Sequence, residues 1–173
     1  MTRAQERLSK PFTITRVFDA PRDLVWQALT QLEHLGHWMS PAGMERVPGS
    51  LDLRVGGVYH YGMKAPNGQI MWGKWTFREI LVPERLVVVV NFSDAELGVT
   101  RHPMSPTWPL STLSTTTLAD EGLGTRMTLT WQALDGNDDE NVTFDNAHAG
   151  MTQGWGGTMD QLAGYLARLQ QRG

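Results

Sequence analysis

"QGWGGTMDQLAGYLARL", residues 153–169, is the stretch on which the fold turns. From Trp155 its apolar residues fall at Met159, Leu162, Leu166 and Leu169, one face of a 3.6-residue repeat. This is a long amphipathic helix near the end of the chain. Gly154, Gly156 and Gly157 crowd its first turns, although each glycine inside a helix costs roughly 1 kcal/mol relative to alanine. The expected reason is close packing: the glycines let the helix approach a sheet or a neighbouring loop, while Trp155 and Met159 project into the space between.

Upstream, the period changes. "FTITRVFDAP" (12–21) alternates as a strand, with Asp19 placed to cap the helix "PRDLVWQALT" (21–30) and Pro21 in its first turn. A second short helix, "QLEHLGHWM" (31–39), ends before Ser40-Pro41. Tyr59, Tyr61 and Met63 then alternate with Val58, His60 and Gly62, and Asn67-Gly68 is a strong hairpin signal. In "IMWGKWTFREI" (70–80), Met71, Gly73, Trp75 and Phe77 oppose a mostly polar set, so they face the core. "PERLVVVVNF" (83–92), "LSTLSTTTL" (110–118) and "TRMTLTWQAL" (125–134) supply further strands. In the last of these, Met127, Leu129 and Trp131 alternate with Thr128, Thr130 and Gln132. The turns between successive strands are short, so the sheet is antiparallel. The exception is "SDAELGVTRHPMSPTWP" (93–109), a proline-punctuated loop whose length marks it as functional or packed.

The expected fold class is α+β: a curved antiparallel sheet of about six or seven strands wrapped around a long C-terminal helix, with two short helices after the first strand. One domain over residues 12–172 would follow a flexible segment over residues 1–11. The chain has 173 residues, 40% of them hydrophobic and 19% charged, with a net charge of −3. It contains no cysteine, which excludes disulfides, a thiol nucleophile and thiolate metal sites. No basic stripe suits nucleic acid, and no segment approaches the ~20 apolar residues that span a bilayer. "MTRAQERLSK" lacks the apolar core of a secretory signal, so a cytoplasmic location is expected.

The order of these elements, with "FDAPRDLVWQALT" (18–30), "LDLRVGG" (51–57), "FREI" (77–80), "PERLV" (83–87), "GTRMTLT" (124–130) and "GWGGTMDQLAGYL" (154–166), resembles the START-like (SRPBCC, Bet v 1-like) helix-grip superfamily. Within it the chain is similar to the family related to the C-terminal domain of the Hsp90 ATPase activator. The resemblance implies an apolar cavity between sheet and C-terminal helix that binds a lipid, polyketide or aromatic small molecule without a cofactor. It also allows two other readings: a protein-interaction module of the Hsp90-activator type, and a cyclase- or hydrolase-like enzyme. The oligomeric state is not legible.

Candidate ligand-binding residues come from the inward face of the sheet: Tyr59, Tyr61, Trp75 and Phe77 in the middle strands, and Met127, Leu129 and Trp131 in the last. The helix side adds His148, Met151, Trp155 and Met159, with His148 a partner for buried tyrosine or tryptophan polar atoms, which seldom stay unpaired. The long loop adds His102 and Trp108, beside Arg101, near a cavity mouth where a polar group fixes one end of a ligand.

No catalytic set is recognisable: there is no G-x-S-x-G elbow and no arranged Ser, His and Asp. His34 and His37 lack an acidic partner at metal-ligand spacing and read as a solvent-facing helix end. "DGNDDENVTFDN" (135–146) begins like a calcium loop but holds Glu140 and Asn146 where glycine and glutamate are required. It is expected to be an acidic, solvated loop, with Asp145 helping to cap the last helix. No metal is expected.

Overall fold

The first strand and the last lie side by side. In the computed structural model, which describes residues 6–40 and 43–172, Phe12–Phe18 (β1) pairs antiparallel with Gly124–Ala133 (β8). In the chain between them come Glu45–Leu51 (β2), Val58–Lys64 (β3), Ile70–Leu81 (β4), Arg85–Ser93 (β5) and Thr112–Glu121 (β7). The sheet order is β1-β8-β7-β5-β4-β3-β2, every neighbour antiparallel, and the two-residue Val99–Thr100 (β6) pairs with the end of β5. The described sheet thus has eight strands, β6 lying inside the long loop. The β3–β4 hairpin turns at Asn67-Gly68, with Gly68 at φ +87° and the Asn67 side chain accepting from Gln69 N.

The concave face holds Tyr59, Phe77, Val88, Leu118, Met127 and Leu129, all buried. The helix His148–Gln171 (α4) lays Met159, Leu162 and Leu166 against them. Arg22–Thr30 (α1) and Leu32–Trp38 (α2) close one end of this core, with Val25, Ala28 and Leu35 at 0% exposure. Trp38, 1% exposed, donates from its indole to the Ala28 carbonyl at 2.9 Å and staples α2 onto α1. No helix among the described residues is long and apolar enough to cross a membrane.

Four local expectations are corrected. First, α1 begins at Pro21 as its N-cap with no side-chain cap: the Pro21 carbonyl accepts from Leu24 N and Val25 N, and Asp19 lies too far upstream to do so. Second, the acidic stretch is a helix, Asp138–Asn146 (α3). Asn137 caps it by accepting from Glu140 N at 2.8 Å, and the carboxylates of its first turn suit the helix dipole. Asp145 sits in the last turn of α3, and α4 has no side-chain cap. Third, His34 is partly buried rather than solvent-facing, whereas His37 stays exposed as expected. His34 Nδ1 lies 2.5 Å from Tyr165 Oη and His37 stacks on the Tyr165 ring at 4.9 Å, coupling α2 to α4. Fourth, a Cβ on Gly154, Gly156 or Gly157 meets nothing within 4 Å. The glycines do not admit a close neighbour; the helix is held in this region by Met151, Trp155 and Met159, and the glycine positions border open space.

Of the segment before β1, residues 1–5 lie outside the described residues. Leu8 bridges to Leu134, Ser9 N donates to the Ala133 carbonyl, and the Arg7 carbonyl accepts from Asp135 N.

Candidate functional site

The helix does not fill the whole concave face. Beyond Trp155, where α4 no longer covers the sheet, a cavity of about 370 Å³ remains. Its floor is the inward register of five strands: Tyr61 and Met63 from β3, Gly73 and Trp75 from β4, Val90 and Phe92 from β5. Thr112 and Ser114 of β7 and Trp131 of β8 continue it. Met39 closes one side, and His102, Trp108, Pro109 and Leu110 of the long loop form the roof. Trp72 and Asn91 border it too, but their side chains are engaged elsewhere. Trp72 stacks on His60 at 4.8 Å, and Asn91 Nδ2 donates to the Leu110 carbonyl and Ser111 Oγ.

Of the residues expected at a binding site, Tyr61, Trp75, His102, Trp108, Trp131 and Trp155 come together around this space. Tyr59, Phe77, Met127, Leu129 and Met159 do not border it; they are 0–2% exposed and packed in the closed core. Alternation identifies the inward face but not the depth along it, and these five lie where α4 is already in contact. Met151 belongs to a second cluster with Phe12, Ala133 and Phe144. His148 is packed between the Phe12 and Phe144 rings, away from the cavity, and gives its ring to no buried hydroxyl. Its Nε2, Tyr59 Oη and Trp131 Nε1 are buried without hydrogen-bond partners among the described residues, so the expected pairing of buried aromatic polar atoms is not met there. Among the residues not singled out, Thr112, Ser114 and Phe92 were accessible through strand register. Met39 carries no such signal, because only the α2–β2 path brings it to the cavity.

Arg101 is also corrected. Its guanidinium Nη1 lies 3.4 Å from Glu140 Oε2 and 3.5 Å from the Trp108 carbonyl, so its charge is taken up by α3 rather than offered to a ligand. Glu140, with only 10% of its side chain exposed, also accepts from Leu110 N at 3.0 Å. One carboxylate therefore ties both ends of the roof segment 101–110 to α3. Replacing it with alanine leaves the Leu110 N–H without its partner, so Glu140→Ala is expected to lower stability by about 1–3 kcal/mol. Glu140→Gln, which still accepts from Leu110, should lose less; urea denaturation of the two variants checks the order.

Among the described residues, the polar side chains that border the cavity include no carboxylate, ammonium or guanidinium. Met104 N–H donates to His102 Nδ1 at 3.0 Å, which places the proton of a neutral imidazole on Nε2. The His102 ring packs on Phe92 at 4.7 Å and beside Trp108 at 6.2 Å. Burial pushes the Tyr61 phenol up to about 12, so it stays protonated. Its ring lies over Gly73, where an added Cβ would fall 2.6 Å from Tyr61 Cζ and Oη. Glycine at position 73 is what lets Tyr61 lie flat. Arg46 sits over the Tyr59 and Tyr61 faces at 5.7 and 5.9 Å and donates to the Leu35 carbonyl and Ser40 Oγ. Among the described residues, no cluster of three or more His, Cys, Asp or Glu side chains forms a metal site.

The sequence profile of the family described as activator of Hsp90 ATPase homolog 1-like protein matches residues 19–167. The chain belongs to that family. The same helix-grip, START-like fold is found in solved structures similar to this activator-like chain. A protein from Arthrobacter aurescens is 24% identical with a TM-score of 0.73, covering 94% of this chain and 91% of that one. One from Rhodobacter sphaeroides is 20% identical with a TM-score of 0.73, at 94% and 99% coverage. The Mll3558 protein of Rhizobium loti is 25% identical with a TM-score of 0.66, again at 94% and 99%. No curated protein matches the chain. Membership of the activator-like family, with this fold, fits a ligand-binding or Hsp90-activator-like module in general.

Proposed function

We propose that the protein binds a largely apolar small molecule in the cavity between the sheet, Trp155 of α4 and the loop 101–110, using no cofactor. The observation that carries this reading is the cavity itself. About 370 Å³ opens between the sheet, Trp155 and the loop, walled mainly by aromatic and methionine side chains. That is within the range of small-molecule sites, which combine apolar walls with a few polar groups. Burial of apolar ligand surface contributes roughly 25 cal/mol per Å² before ordering costs, and the polar atoms set specificity.

A thermal-shift screen with polyketides, lipids and neutral aromatics tests it. A ligand at 100 times its Kd adds about 2.7 kcal/mol, which for a domain of this size raises Tm by roughly 5–10 °C. Trp155→Ala, at a half-buried position, should retain the fold and lose most of that shift. If no compound raises Tm, the reading fails, and an interaction module of the Hsp90-activator type becomes the better account of this family member.

A further inference from the structure

We propose that the cavity selects uncharged, flat aromatic molecules that carry a hydrogen-bond-accepting oxygen, which His102 receives through its Nε2–H, and that it rejects carboxylates such as those of fatty acids. This rests on the reading that the cavity binds a small molecule, and it narrows the class.

The lining carries no formal charge to meet an ion. Among the described residues, no Asp, Glu, Lys or Arg borders the cavity. Arg101 and Arg46, which contact cavity-lining residues, are both engaged. Arg101 pairs with Glu140 at 3.4 Å. Arg46 is bound to Leu35 O and Ser40 Oγ and lies over two tyrosine rings. A carboxylate entering the space would lose its hydration with no cation to meet it, which strongly disfavours the charged form. An ammonium would likewise meet no carboxylate.

The walls of the cavity suit flat molecules. Trp75, Trp108, Trp131, Trp155, Phe92 and Tyr61 supply π-faces and ring edges around one space. Flat aromatic partners gain from offset or edge contacts with such walls beyond simple burial. Met39, Met63 and Met71 add thioethers, which pack adaptably against rings.

The roof adds a hydrogen-bond donor that no described residue takes up. His102 borders the cavity with its Nδ1 committed to Met104 N–H, so its remaining nitrogen carries the proton and is a donor. Nε2 has no hydrogen-bond partner among the described residues. An accepting oxygen on the ligand, a ketone or ether, is the complement.

Equilibrium dialysis at pH 7.5 with four probes decides the matter: fluorene, fluorenone, fluorenone-2-carboxylate and the methyl ester of that acid. Fluorenone is expected to bind about 5–10-fold tighter than fluorene, and the ester at least tenfold tighter than the carboxylate. In His102→Phe, with folding checked by circular dichroism, fluorenone should fall to the affinity of fluorene while fluorene itself is little changed. Fluorenone and fluorene binding equally to the wild type, the carboxylate matching its ester, or a ketone preference that survives in His102→Phe would each overturn the proposal while leaving the cavity a binding site. Binding by none of the four would overturn the proposal and the binding reading together. The wild-type comparisons stand even if the variant does not fold.

Discussion

Phe144→Ala is expected to lower the free energy of unfolding by about 3–5 kcal/mol, the usual loss when a fully buried aromatic leaves a cavity behind. Phe144 is 0% exposed and is the residue through which α3 is held to the sheet. Its ring stands edge-on to Trp131 at 5.3 Å, 5.5 Å from Trp108, and perpendicular to His148 at 5.5 Å. Removing it takes the backing from two tryptophans that wall the cavity, so stability and ligand retention should fall together. The melting temperature should drop by roughly 10 °C or more. Phe144→Leu, which refills much of the volume, should recover most of the loss. A Phe144→Ala protein within 1 kcal/mol of the wild type in urea would mean that α3 does not pack as described.

The second large effect is expected at Trp38. Trp38→Ala should cost about 3–5 kcal/mol, since its side chain is 1% exposed among α1, α2 and the sheet. Part of this is the hydrogen bond to the Ala28 carbonyl, which would be left buried without its donor. Trp38→Phe separates the two contributions, keeping most of the packing and losing the bond, for which about 1 kcal/mol is expected. The consequence for the site is indirect but specific. Met39, the next residue, forms one wall of the cavity, so loosening α2 should weaken ligand binding even in the phenylalanine variant.

These two positions show what kind of information was missing from the linear reading. Trp38 sits in a helix that the sequence reveals, yet nothing in its spacing says that the indole reaches back ten residues to Ala28. Phe144 lies in a stretch whose acidic composition reads as solvated loop. Asn137 and the carboxylates at 138–140 instead start a helix, and one aromatic per two turns suffices to dock it. The glycines at 154, 156 and 157 misled for a related reason. A small residue is compatible with close approach, but it is equally compatible with an open surface, and only the position of neighbouring elements separates the two.

The opening strand and two helices, the antiparallel sheet and the long closing helix followed from the sequence by itself, because a two-residue period and a 3.6-residue period each commit one face of an element to the interior. The same periods found the aromatic inward face. Tertiary structure alone decided which inward residues border empty space and which are core. That depends on where α4 crosses the sheet, and no periodicity within a single strand encodes it. It also decided that Arg101 is neutralised by Glu140, a partner about forty residues away in the chain, so that the cavity is bordered by aromatic rings and neutral donors rather than by the cation its sequence neighbourhood suggested.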